Sequence, residues 1–362
     1  VFSTHACMFF LIVVATPPPG APIPVTSCKH SLEIAKRSFC PGFRASRNTM
    51  SWEDAVSELI IQQQACCGNK QNNDSIRLLN IGANKGYNVN TFMQRFQRGW
   101  KVSNQQWHME LAKRLGQNSS NQQWAKLCGV CRDCKRKVAM AAGERKHNDA
   151  RIATSSVYVV AVELLNTNTR LLRGVFDHFA LPGVVLHAGG SDAVGFTAQP
   201  QSTDVLGSEV ASLDATRDET SYYGTTKGKA LPQVATVTTV TVDQLVGMLA
   251  LEPLDWVIVD TEGHDSAVLH GAESTLRRRG IRILEFEYHS IGLWKRVLLK
   301  DTIAFLAQLG YECFWQGNHG TLAPFMPNCS NEFKNIHGNA WSNLVCSAES
   351  QTIAVLRAHV EH

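Results

Sequence analysis

The stretch IRLLNIGANKGYN (76–88) decides the fold of this chain. Ile76 to Ile81 is an apolar run of strand length, and Gly82-Ala83-Asn84-Lys85-Gly86 breaks it before a helix expected over Tyr87 to Phe96. Glycines at a strand-to-helix turn let backbone approach a ligand closely, and the free amides of the helix start suit an anionic group. A nicotinamide fingerprint needs GxGxxG, but Asn84 and Tyr87 stand where its second and third glycines would be. The shorter G-x-N-x-G suits a ligand that lacks a pyrophosphate. The same turn can also be purely structural.

Outward from this turn the chain alternates short apolar runs with helical spacings. Further strands are expected at Val157 to Val162, Val184 to Ala188, Trp256 to Asp260 and Ile283 to Tyr288. Helices are expected over Trp52 to Gln64, Thr169 to Phe179, Ser266 to Arg279 and Thr302 to Leu309. Continuous apolar strands between helices predict an α/β fold: a doubly wound, mostly parallel, Rossmann-like sheet covered on both faces. Tyr311 to Trp315 and Asn343 to Cys346 are expected to pair as a C-terminal antiparallel hairpin. No internal repeat is present.

Two stretches break the rhythm. Residues 97–150 are polar and carry Cys128-x-x-Cys131-x-x-Cys134, and read as an insertion between the first helix and the second strand. With His147 these cysteines form a weak zinc candidate, since a structural zinc takes four Cys or His ligands; disulfides or free thiols are the stronger reading. Residues 197–235, rich in Gly, Ser and Thr, are expected to lie over the active face.

Residues 1–50 lack periodicity and read as a targeting segment plus linker, leaving 51–362 as the main domain. Cys7 to Ala15 is a nine-residue apolar run, too short for a bilayer but suited to a signal-peptide core. Asn73, Asn118 and Asn328 begin Asn-x-Ser sequons, and the chain holds 11 cysteines. These features point to a secretory or extracellular setting, a cytoplasmic one being the alternative. The chain contains no stretch expected to span a membrane stably, and a net charge of +4 over 362 residues argues against a nucleic-acid partner. Oligomeric state is not legible.

Chemistry-bearing residues gather at expected strand ends. Glu163 follows the second strand, where such folds hydrogen-bond ribose hydroxyls. It stands 77 residues beyond Gly86, against the usual spacing of about 20, a gap that the insertion accounts for. LDWVIVDTEGHD (254–265) places Asp260, Glu262, His264 and Asp265 at the carboxyl end of another strand, where open α/β sheets bind ligands. Such a cluster can supply a general base, Asp260 first and His264 second, while Asp265 also suits a helix cap. Glu285 and Glu287 share a strand face and, with His289, either border an acceptor pocket or simply end a strand.

The pieces together resemble the FkbM-type family of S-adenosylmethionine-dependent O-methyltransferases. The matching stretches are LLNIGANKGYN (78–88), VAVELLNTNTRLL (160–172), VLHAGGSDAVG (185–195), TVDQL (241–245), LDWVIVDTEGHDSAVLHGAESTL (254–276), LEFEYH (284–289) and SNLVCS (342–347). The resemblance implies S-adenosyl-L-methionine as cofactor, with Gly82, Asn84 and Gly86 at its methionine part, Glu163 at the ribose, and Ser191 and Asp192 near the adenine. Asp260, Glu262 and His264 would form the catalytic group. It implies methylation of a hydroxyl on a small-molecule or glycan acceptor. Two departures stand out: the family usually has Asp at the position of Asn80 and Lys at that of Ile258. They motivate an alternative, a catalytically silent cofactor- or glycan-binding module of the same fold.

Overall fold

A computed structural model of the chain describes residues 28–36, 50–67, 75–115, 128, 133–135, 156–200, 213, 234–289, 291–326 and 341–361. The apolar run, the three sequons, Cys131 and His147 lie outside these residues.

The first expected strand is β1 (Ser75–Ile81), and it lies near the centre of an eight-stranded sheet. On one side it pairs in parallel with β2 (Ser156–Glu163), which pairs in turn with β3 (Gly183–His187). On the other side β1 pairs with β7 (Leu254–Val259), and β7 with β8 (Ile281–Tyr288), both again parallel. Antiparallel β11 (Ser342–Ser347), β9 (Glu312–Gln316) and β10 (Leu322–Pro324) complete the order β10-β9-β11-β8-β7-β1-β2-β3. The expected hairpin partners β9 and β11 do pair, and Cys313 and Cys346 face each other in register and are joined by a disulfide.

Strand alternation fills both faces. Leu79 and Ile81 pack on one side with Val160, Val257 and Leu245, whereas Ile76 and Leu78 pack on the other with Trp52, Phe92 and Trp256. Helices supply the cover. They are α2 (Trp52–Cys67), α3 (Tyr87–Phe96), α4 (Asn104–Arg114), α5 (Asn166–Phe179), α6 (Val242–Leu249), α9 (Leu299–Gln308) and α10 (Ser350–Ala358). The helix expected over 266–279 is two short ones, α7 (Asp265–His270) and α8 (Glu273–Arg277). A second sheet of β4 (Gly189–Gly190), β6 (Val234–Val240) and β5 (Gly195–Pro200) follows β3; β5 and β6 flank the stretch 197–235, most of which lies outside the described residues.

Two organisational expectations need correction. Residues 28–36 are not linker: they form α1 (Cys28–Lys36), whose Leu32, Ile34 and Ala35 are buried in the core and whose Ala35 carbonyl accepts from Ser342 Oγ at 3.1 Å. The first part of the expected insertion is likewise built into the fold. Ser103 caps α4 in a reciprocal box with Gln106, and Trp107 is wholly buried, its indole donating to the Lys85 carbonyl at 2.8 Å. Cys128 and Cys134 are joined to each other, so two of the three sulfurs a zinc would need are committed to a disulfide. Among the described residues no helix is long and apolar enough to cross a membrane.

Candidate functional site

The strand order reverses between β1 and β7, and the crevice beyond their carboxyl ends is the place where open α/β sheets take ligands. There the turn after β1 and the turn after β7 touch. The Asp260 amide donates to the Ile81 carbonyl at 2.9 Å, and the amides of Gly82 and Ala83 donate to Val162 at 2.9 and 3.0 Å. Gly82 has φ +81°, and a Cβ there would collide with the Asp260 carbonyl, so only glycine lets the two turns close. Asn84 follows in the left-handed region at φ 49°, which asparagine tolerates.

A cleft opens above these turns. Gly82, Asn84, Glu163, Asp260, Thr261 and Glu262 form its polar wall; Leu164, Leu165, Ala188 and Leu213 form an apolar one. Glu163 is 4% exposed and accepts the Asn84 amide at 2.6 Å on one carboxyl oxygen and the Leu165 amide at 2.8 Å on the other. The Asn168 side chain also donates to this carboxylate, which leaves one of its four lone pairs for a further donor such as a ribose hydroxyl. Burial pushes the Glu163 carboxyl up to about 7, against the pull of the two backbone amides and of Asn168.

Asp265 organises the loop after β7. Its carboxylate accepts the Gly263 amide at 3.1 Å and the Thr261 amide at 3.4 Å, which holds the loop on both sides of Glu262; it is the first residue of α7 and does not cap it, the cap position being His264. Glu262 sits between them in the left-handed region at φ 53°, a costly conformation for a residue with a long side chain. Burial pushes the Asp265 carboxyl up, with nearby His289 drawing it back down.

Five of the nine residues to which the resemblance gives a cofactor or catalytic role meet at the cleft: Gly82, Asn84, Glu163, Asp260 and Glu262. The other four stand outside its wall. Gly86 adopts φ +75° beneath Trp107 and Leu172, where a side chain would collide with both, so its glycine serves packing. Ser191 Oγ lies 3.0 Å from His264 Nε2 and 3.1 Å from Asp192 Oδ1, which ties the loop after β4 to the start of α7. His264 therefore faces Ser191, and Asp192 is exposed at the surface. Glu285 and Glu287 separate despite sharing a strand face. Glu285 is held beneath the sheet by Trp256 Nε1 and Gln316 Nε2, whereas Glu287 Oε2 lies 3.3 Å from His289 Nε2 at the strand end. Thr261 and the apolar wall went unforeseen; the leucines directly after Glu163 were the available signal for the latter.

The family model of the methyltransferase FkbM domain matches residues 80–313, well over half of the chain. The crystal structure of methyltransferase FkbM from Methylobacillus flagellatus KT is similar at 11% identity and a TM-score of 0.35. That match covers 80% of this chain and 47% of the other, so the chain spans just under half of that protein's length. No curated protein matches the chain.

Proposed function

The chain belongs to the FkbM methyltransferase family, and we propose that it moves a methyl group from S-adenosylmethionine to a hydroxyl oxygen of a small-molecule or glycan acceptor. The observation that carries this reading is the switch-point cleft, where the bare backbone of Gly82, a buried carboxylate with a lone pair to spare and a second carboxylate share one wall. The residues fit the cofactor. Gly82 leaves backbone bare beside the cleft, Glu163 can take a ribose hydroxyl, and Leu164, Leu165 and Leu213 offer an apolar face to a flat base.

When bound, S-adenosylmethionine supplies a methyl group already activated by its sulfonium, so no nucleophile need come from the protein. What the chain contributes is alignment and a base. Asp260 lines the cleft beside the Gly82 turn and would accept the acceptor's hydroxyl proton as the oxygen–methyl bond forms. Glu262 lines the same wall two residues on. His264, turned to Ser191, would hold the loop and leave the proton to Asp260.

The test is calorimetric titration with S-adenosylhomocysteine and with NAD, followed by S-adenosylhomocysteine release over a panel of sugar hydroxyl acceptors. Saturable binding of the first alone, with release on some acceptor, supports the reading. Binding without release on any acceptor favours a silent module, which the uncharged pair Asn80 and Ile258 motivates. We further propose an oxidising, secretory setting, supported by the Cys313–Cys346 and Cys128–Cys134 disulfides. Non-reducing mass spectrometry of protein from its native source, finding these four thiols free, would count against it.

A further inference from the structure

We propose that Glu262, Glu287 and His289 form a divalent-cation site on the acceptor side of the cleft; the site stands on its own geometry, while its purpose rests on the methyltransferase reading above. One ligand atom from each residue lies within 4.8 Å of the others. They arrive from two elements. Glu262 comes from the loop after β7, and Glu287 and His289 come from the carboxyl end of β8 and the residue beyond it. The cluster is sheltered: His289 is 1% exposed, and both glutamates are half-buried.

Its orientation is fixed from outside. The Trp341 ring packs on the His289 ring with centroids 5.3 Å apart, and the Trp294 indole donates to the Glu287 carbonyl at 3.1 Å. Glu262 is aimed by the loop that Asp265 clamps on either side of it. Two carboxylates drawn together at half-buried positions repel one another, and a cation between them reverses that repulsion. Oxygen ligands sit about 2.1 Å from such an ion, so small rotations of the two flexible glutamates would close the cluster. Coordination through His289 Nε2 gives up a 3.2 Å contact from the Ile291 amide to Nδ1 and gains two anionic neighbours around one ion.

Two carboxylates and one imidazole suit manganese(II) among common divalent ions, and three protein ligands leave positions open to substrate. Glu262 belongs both to this cluster and to the cleft wall, so those open positions face the space an acceptor would enter. The ligand class is an oxygen-rich acceptor, above all a vicinal diol, whose hydroxyl a cation would hold and make more acidic. The cation would also bring positive charge to a site whose strand carries uncharged Ile258.

The probe is manganese(II) alone, titrated into the full chain by calorimetry, with the electron paramagnetic resonance of bound ion as a second readout. One saturable site per chain is expected. Glu287→Gln and His289→Gln should each weaken it at least ten-fold with unchanged thermal melts, and Glu285→Gln on the same strand should leave it unaltered. Absence of saturable uptake by the wild type overturns the proposal, as does equal weakening by Glu285→Gln. S-adenosylhomocysteine binding measured in chelator separates the two readings. If it persists without manganese uptake, only the cation site falls. Manganese uptake without S-adenosylhomocysteine binding keeps the site and removes the methyltransferase reading.

Discussion

Asn80 on β1 and Ile258 on β7 are register partners on adjacent parallel strands, with Ala161 and Glu285 flanking them in the same row. These are the two positions at which the resemblance read from the sequence implies Asp and Lys. Asn80 is fully buried, and neither side-chain amide atom has a hydrogen-bond partner among the described residues. The paired departure has a physical logic. Losing the lysine alone would strand a buried carboxylate, whereas losing both charges leaves a neutral amide whose unsatisfied atoms cost less.

This relationship predicts a double-mutant cycle. Asn80→Asp alone should destabilise the fold by about 3 kcal/mol, as an unpaired buried charge does, and Ile258→Lys alone should also destabilise it. Together they should recover at least about 1 kcal/mol of the summed loss through the restored pair. Urea unfolding of the four proteins reads the coupling. Strict additivity would mean that the two side chains do not meet.

Glu163 gives a pH-dependent prediction. Its carboxyl in the fold titrates at about 7, above the ordinary value of 4.5. Between those values the folded state holds a proton that the unfolded chain has released, so stability falls as pH rises through this window and levels off above it. A tenfold gain in proton affinity corresponds to about 1.4 kcal/mol, so this single group accounts for up to about 3 kcal/mol. Glu163→Gln keeps the shape and should flatten this part of the profile in thermal melts at pH 5 to 8. The ionised form accepts ribose hydroxyls best, so S-adenosylhomocysteine should bind more tightly above pH 7, and the same variant should lose about 1.5 to 3 kcal/mol of affinity. Alanine orphans both the Asn84 and the Leu165 amide, whereas glutamine keeps an acceptor for one and turns its NH2 toward the other, so the slope of the profile and not the absolute melt is the readout.

The cystine between β9 and β11 should matter to stability. Cys313 and Cys346 are 33 residues apart, and closing a loop of that length restricts the unfolded chain by about 3 to 4 kcal/mol in the chain-entropy treatment. A Cys313→Ala, Cys346→Ala double variant should melt well below the wild type, and dithiothreitol should lower the wild-type melt further than the variant's, which keeps the Cys128–Cys134 cystine. Equal melts for the two proteins would remove the cystine from the fold's support.

The parallel sheet was legible because its strands are buried on both faces and so read as continuous apolar runs. The second sheet was not. β4 has two residues and β6 mixes valine, alanine and threonine without alternation, so their pairing depends on partners distant in the chain rather than on local pattern. Helix α4 hid within polar sequence, although the Ser103–Gln106 box and the Trp107–Leu111 spacing signalled it. At the site, Glu163 and Asp260 were readable from their places at strand ends. The destinations of Ser191, His264 and Glu285 were not, because a strand end fixes where a side chain starts and the neighbouring loops decide where it points.

The chemistry turns on Asp260 and His264, which the sequence left as rivals. In the structure Asp260 walls the cleft, while His264 Nε2 engages Ser191 Oγ at 3.0 Å on the far side of the loop. A base must reach the proton it removes, so this geometry favours Asp260. Asp260→Asn preserves size and removes basicity; turnover should fall by about 10² to 10⁴ while S-adenosylhomocysteine affinity changes little. His264→Ala should act differently, loosening the 261–264 loop with a smaller fall in rate. Ser191→Ala, which removes the same contact from its other end, should reproduce that smaller effect. Full activity in the Asp260 variant together with a collapse in the His264 variant would reverse the assignment. Parallel loss of affinity and rate in Asp260→Asn would place that carboxylate among the cofactor contacts and leave the proton to another group, Glu262 being the nearest in the same wall.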